Sequence, residues 1–321
     1  MAAGVRLIPY DKSLIDERTV VVSPSRLMTT RTLPRYLYKY CSAARATQIL
    51  QDLSLYLATP IQLNDLFEFR FRSLLSETPD GKIKALARQL VLEGIEKDIG
   101  SAIEVARQLP LSEAERAHND VVSYVSRVAA DVMQHSGVTC FTAERNNQRM
   151  WATYGYNHAG AVIEFLTTPE SCPFRNNLAE VIYTSTKIPW GPGDLLDDRC
   201  RPDISRLHFL MQFKHADWQD ENEWRIMFIC DSEMTPEEKY VRFPASAVTR
   251  VFLGPRVSSD DEVSIRKAAA MHSGQIAVFK REIHESLAVE APTGFEQIQN
   301  SEQIKYWANR THGVSFDSWL G

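Results

Sequence analysis

The apolar residues of the chain change period along its length, and those changes outline the elements. Leu37-Tyr38-Lys39-Tyr40-Cys41 predicts a short strand, after which Ser42 is placed to cap a helix carrying Ala46, Ile49 and Leu50 as far as Asp52. Leu53 to Thr59 alternates in the strand manner, and Pro60 closes it. From about 81 to 135 the period becomes helical. Ile83, Leu86, Leu90, Val91 and Ile95 make one stripe, and Val121, Tyr124, Val125, Val128 and Val132 make another. Pro110 divides the two, and Ser112 with Glu115 has the spacing of a capping box for a new helix. Strand patterns return at 138–142, 161–165, 181–183, 248–253 and 276–280, with helices predicted after Asp203 and near 260–271. Apart from the strand at 181–183, the proline- and glycine-rich stretch 172–202 reads as loop.

Strands, then a run of helices, then strands without regular βαβ alternation predict an α+β fold rather than a doubly wound sheet. The expected organisation is an N-terminal extension over 1–34, a single α+β domain over 35–291 with a helical insertion at about 81–135, and a C-terminal tail over 292–321 that docks as a last helix. Neither an internal repeat nor a long linker divides the chain.

Composition narrows the functional classes. With 321 residues, 44% hydrophobic and 24% charged, the chain has the balance of a soluble globular protein. A formal charge of -5 disfavours a whole-surface footprint for nucleic acid. Five scattered cysteines without a Cys-x-x-Cys pair fit reduced thiols in a cytoplasm, and no apolar run approaches a membrane span. The expected setting is therefore cytoplasmic, away from the membrane.

The stretch that concentrates chemistry is Glu221-Asn222-Glu223-Trp224-Arg225, running into the apolar Ile226-Met227-Phe228-Ile229. If Glu221 and Glu223 share a strand, both carboxylates project from one face into one pocket. A half-solvated strand with a Glu-Arg pair on its wet face has the same pattern. Asn64-Asp65 in the loop after Pro60 offers polar groups at a strand end, or a turn bonding to its own backbone. Trp151 and Tyr154 stand one helical turn apart, suited to stacking on a flat ring or to core packing. His158 lies at the mouth of the next strand, where a structural histidine at a turn is the plainer reading. The chain has no Gly-x-Gly-x-x-Gly, Walker lysine loop, Gly-x-Ser-x-Gly or His-x-x-x-His, and no resident metal is expected. Glu237-Glu238-Lys239 has a nuclease-like spacing but falls in a polar stretch containing proline.

Taken in order, Leu37-Tyr38-Lys39-Tyr40, Leu55 to Pro60 with Leu63-Asn64-Asp65-Leu66-Phe67-Glu68, Met150-Trp151 with Tyr154, His158-Ala159-Gly160 with Ile163-Glu164-Phe165, and Trp218 with Glu223-Trp224-Arg225 resemble the bacterial domain-of-unknown-function family twenty-nine seventy-one. Leu66 stands where that family carries a proline. The resemblance implies a setting in bacterial defence or toxin loci, without an activity. More distantly the chain resembles ADP-ribosyltransferases, with Lys39 or Tyr38 on an early strand, Thr59 at the next strand's end, and Glu221 and Glu223 entering a late strand. The usual Arg or His at the first of these positions is absent. That resemblance implies a split, mixed or antiparallel sheet with a helical insertion, and NAD as substrate of a transferase or glycohydrolase. Glu223 would steady the developing sugar cation and Glu221 would align the nucleophile. Tyr38, Lys39, Thr59, Asn64, Trp151, Tyr154, His158 and Arg225 would surround the dinucleotide, with a macromolecule or small molecule as acceptor. Two rival expectations are a non-enzymatic sensor or interaction module serving a defence partner protein, and a metal-dependent nuclease using Asp65, Glu68 and Glu164.

Overall fold

The computed structural model describes residues 32–63, 74–188, 190–197, 199–229, 234–272, 276–283 and 288–291. The chain divides into two units, residues 1–278 and 279–321.

The first unit begins its sheet with Tyr36–Cys41 (β1), followed by helix Ala43–Asp52 (α1) and the short strand Ser54–Tyr56 (β2). Ser42 caps α1 as expected, its hydroxyl accepting the Arg45 amide at 3.3 Å, and the helix buries Ala43, Ala46, Ile49 and Leu50. Leu53 turns into the left-handed region at φ 47°, so the strand expected from Leu53 to Thr59 shortens to three residues. Beyond it, Ala58 makes only an isolated bridge to Val138.

The helical block is present as Pro79–Leu92 (α2), Ile99–Gln108 (α3) and Leu111–Gln134 (α4). Leu86, Ala87, Leu90, Ala102, Ala106, Ala114 and Ala117 form its own core. Val121, Val125, Val128, Ala129 and Val132 of α4 pack in the core that also holds Val138 and Met227. Two expectations fail here. The cap of α4 is Pro110, with no side-chain hydrogen bond, so Ser112 and Glu115 lie inside the helix. Proline fixes φ and cannot continue α3, so the new helix starts directly behind it. Ile95 falls beyond the end of α2 and is 59% exposed.

Then follow Ser136–Thr142 (β3), Gln148–Thr153 (α5), Ala161–Leu166 (β4), Leu178–Glu180 (β5), Ile182–Thr184 (β6), Ile204–Leu210 (α6), Phe213–His215 (β7), Glu223–Ile229 (β8), Tyr240–Arg242 (β9), Val248–Leu253 (β10) and Ser259–Ala270 (α7). The strand order is β10-β4-β1-β3-β8-β5, and the neighbours run antiparallel throughout. β2 pairs with β9 antiparallel and β6 with β7 parallel. Alternate residues of the main sheet serve two cores. Leu37, Phe141, Ile163, Trp224 and Val251 join α1 and α7, while Val138, Ala179 and Met227 join α4 and α6. The α+β expectation holds, with a mostly antiparallel sheet. The three-residue strands β5, β7 and β9 lack a sequence signal because each is too short to show a period.

A further strand, Ala277–Ile283 (β11), straddles the division between units. In the second unit its later residues pair antiparallel with Ala288–Ala291 (β12). Residues 1–31 of the expected extension over 1–34, and the tail over 292–321, lie outside the described residues.

Candidate functional site

The sheet is unevenly sewn. β1 keeps six register pairs with β4, and β3 keeps seven with β8. Between β1 and β3 the register holds one pair, Tyr38 opposite Thr142. Beyond it lies a cavity of about 310 Å³ lined by residues 38–41 of β1 and 138–141 of β3. Parted strands leave backbone groups that the ladder would otherwise satisfy. Two substitutes appear: Ala58 exchanges backbone hydrogen bonds with Val138 at 2.8 and 2.7 Å, and the Lys39 amine reaches across to the Cys140 carbonyl at 3.0 Å and to Thr139 Oγ1 at 2.9 Å.

The opposite wall is a buried charge network. Lys214, on β7, donates to Glu221 Oε2 at 2.7 Å and to Glu223 Oε2 at 2.8 Å. Arg225 Nε meets Glu223 Oε1 at 2.7 Å, its second terminal nitrogen meets Oε2 at 3.1 Å, and its first donates to the Met211 carbonyl at 2.7 Å. The Glu223 amide donates to the Tyr183 hydroxyl at 2.9 Å, and the Cys140 thiol hydrogen-bonds to the Glu223 carboxylate. Glu221 is not on β8, contrary to the expectation of one shared strand. It ends a 3-10 turn over Ala216–Glu221, and Asn222 takes the left-handed conformation at φ 43° before the strand begins. Asparagine tolerates that conformation, so the kink carries Glu221 round to the same lysine without a regular strand. The wet-face reading also fails: Arg225 is 0% exposed.

The two lysines in this cavity experience opposite fields. For Lys214 burial alone would depress the ammonium pKa, but Glu223 and Glu221 outweigh it and hold the value above that of an ordinary lysine. For Lys39 burial dominates and the pKa is lowered. Glu223 is raised by burial, against the pull of Lys214. Burial and the neighbouring Glu223 push the Cys140 thiol well above its usual range, so it is not an activated thiolate. Tyr38 is pushed up to about 12 by burial and by Glu164, and Tyr183 is also raised, first by burial and then by Glu223.

The cavity brings together Glu221, Glu223, Tyr38, Lys39 and Tyr154 of the residues singled out in the sequence, and adds Lys214, Cys140, Tyr56 and Arg45. The others stand elsewhere. Trp151 is fully buried, edge-on to Tyr40 at 5.3 Å between ring centres and stacked on His158 at 6.2 Å. It is a core residue. His158 closes a run of three left-handed residues, Tyr156, Asn157 and His158, and its carbonyl accepts the Arg256 amide at 3.0 Å. Its role is that of a turn. The Thr59 amide donates to Gln62 Oε1 at 2.9 Å, fixing the turn after β2. Arg225 reaches the site only through Glu223. Asn64, Asp65 and Glu68 lie outside the described residues. Glu164, the third acid of the nuclease expectation, is buried and accepts from Thr249 at 2.5 Å. Lys214 escaped the sequence reading because a lysine in a three-residue strand carries no pattern. A basic partner for the two acids was the missing signal.

Residues 150–226 match the model of a family described as protein of unknown function, DUF2971. Over that stretch the chain is similar to the DUF2971 family. The DUF2971 segment runs from α5 into β8 and supplies Tyr154, Tyr183, Lys214, Glu221, Glu223 and Arg225, whereas Lys39 and Cys140 come from outside it. No curated protein and no solved structure matches the chain. Among the described residues no helix is long and apolar enough to cross a membrane.

Proposed function

We propose that the opening between β1 and β3 binds the nicotinamide-ribose end of NAD and that the protein cleaves or transfers across that glycosidic bond. The observation that carries this reading is the convergence of Glu221 and Glu223 on Lys214 at the wall of a cavity whose other residues include Tyr38, Tyr56 and Tyr154. A volume of about 310 Å³ lies at the small end of ligand pockets, enough for one nucleoside-sized moiety with the remainder of the dinucleotide outside. Loss of nicotinamide develops positive charge on the ribose, and a fixed carboxylate beside it stabilises the transition state more than the ground state.

The hydrogen bonds redistribute the roles between the two acids. Both oxygens of Glu223 are engaged by Lys214 and Arg225, so Glu223 positions the wall. Glu221 gives Oε2 to Lys214 and keeps Oε1 for a ribose hydroxyl. Purified protein incubated with NAD releases nicotinamide, and Glu221→Gln lowers the rate by about a hundredfold with the fold intact by circular dichroism. Equal turnover in both removes Glu221 from the chemistry. A second reading, a sensing module that holds a nucleotide without reacting, is favoured by the neutralisation of Glu223 between two cations. In that case NAD raises Tm with no nicotinamide released. Neither turnover nor a shift in Tm overturns both readings.

A further inference from the structure

Like Arg45, whose guanidinium bonds to Gln48, Lys39 stands in the cavity without a carboxylate partner among the described residues. Its amine makes no ion pair among the described residues, while Lys214 holds two carboxylates. Its hydrogen bonds number two, to Thr139 Oγ1 at 2.9 Å and to the Cys140 carbonyl at 3.0 Å. A protonated amine brings three N–H donors and no acceptor. A neutral amine brings two donors and a lone pair, which is the inventory this position satisfies. The Phe141 ring lies 5.5 Å from the nitrogen, at the outer range of a cation-π contact.

We propose that Lys39 is an amine nucleophile that captures small aldehydes entering the gap between β1 and β3 as an imine. The nitrogen lone pair forms a bond to the carbonyl carbon, and the carbonyl oxygen takes up a proton as the nitrogen gives one up. The resulting hydroxyl leaves as water, and a C=N bond remains. No oxidant or reductant is consumed. Glu221 and Glu223 line the same cavity as carboxylates able to exchange these protons. The ionisable groups that act on the amine are Cys41 beside it on β1, Cys140 on β3, Arg45 on α1 and Glu223 on β8. Burial, reinforced by Arg45, favours the neutral form over the pull of Cys140, Cys41 and Glu223, in the manner of reactive lysines in water-poor pockets. This inference does not depend on NAD.

The test uses the full chain with formaldehyde and cyanoborohydride, which reduces any imine to a methylated amine read by peptide mass mapping. At pH 7 Lys39 is expected to be labelled at least about tenfold faster than the exposed Lys97 and Lys267, because each unit of pKa lowering raises the neutral fraction about tenfold. As pH rises its rate should level off at a lower pH than the rates of Lys97 and Lys267. Labelling of Lys39 that is absent, no faster than the exposed lysines at pH 7, or parallel to theirs in pH overturns the proposal. Since the wild-type chain carries the whole measurement, no variant has to fold, and loss of NAD turnover leaves the result unaffected.

Discussion

Two seams of one sheet behave differently. Between β3 and β8 seven register pairs close the ladder, and the charges behind it are paired: Glu223 with Arg225 and Lys214, Glu221 with Lys214. Between β1 and β3 one pair holds, and a single lysine side chain spans the gap without an ion pair among the described residues. A closed ladder shields its charges from water and so requires that each have a partner. An open one leaves space, and a group in that space stays available to whatever enters. Stability resides in the first seam and reactivity in the second.

The largest test of this contrast is Arg225→Met. It strips two donors from the buried Glu223 and one from the Met211 carbonyl, and should cost about 3–5 kcal/mol in denaturant unfolding. Adding Glu223→Gln should cost less than the sum of the single changes, as for any coupled pair; strict additivity would show the network to be incidental. Next comes His208 on α6, buried with no hydrogen-bond partner for either ring nitrogen among the described residues and depressed by burial to about 4. The unfolded chain takes up its proton near pH 6.5, the folded chain near 4, so stability should fall as pH drops through that window. The full loss approaches about 3 kcal/mol. Comparing unfolding at pH 7 and 4.5 in wild type and His208→Leu checks it, since the variant should lose that slope.

The smallest effects compare the lysines directly. Lys214→Met should cost about 2 kcal/mol, the scale of hydrogen bonds to charged groups, whereas Lys39→Met should lie within about 0.5 kcal/mol of wild type. Their pH signs are opposite. The raised value of Lys214 gives stability that is complete below about 10.5 and lost as pH rises through the folded value. The lowered value of Lys39 makes stability increase with pH until the unfolded lysine also loses its proton. Unfolding midpoints from pH 8 to 11 in both variants separate the two contributions, and equal slopes would erase the distinction between the seams.

Much of this arrangement was legible in the chain and some was not, for physical reasons. The alternation of Leu37 to Cys41, the cap at Ser42 and the Asp203 helix start are local signals that tertiary packing did not override. The Glu-Asn-Glu stretch supplies one wall of the cavity. The expected route along one strand was wrong, because the left-handed Asn222 is invisible to a strand period. Lys214 reaches the acids from a strand of three residues, where no periodicity can form, and Tyr183 from an expected strand whose pattern does not tell which side chains it meets. Trp151 and His158 have ring chemistry that suits a site, but the buried Trp151 packs against Tyr40 and stacks on the half-buried His158.

The segment carrying Tyr154 to Gly160 is pinned at both ends by bare backbone. A methyl group at Gly160 would collide with the Cys41 carbonyl, and one at Gly254 with that of His158. Three stretches of main chain therefore meet at one crossing too narrow for any side chain. Substitution at the tips, the cavity-facing Tyr154 and the outward Tyr156, meets no such barrier, while the crossing that aims them admits only glycine. The lip of the cavity can therefore be reshaped without disturbing the mount on which it is hung.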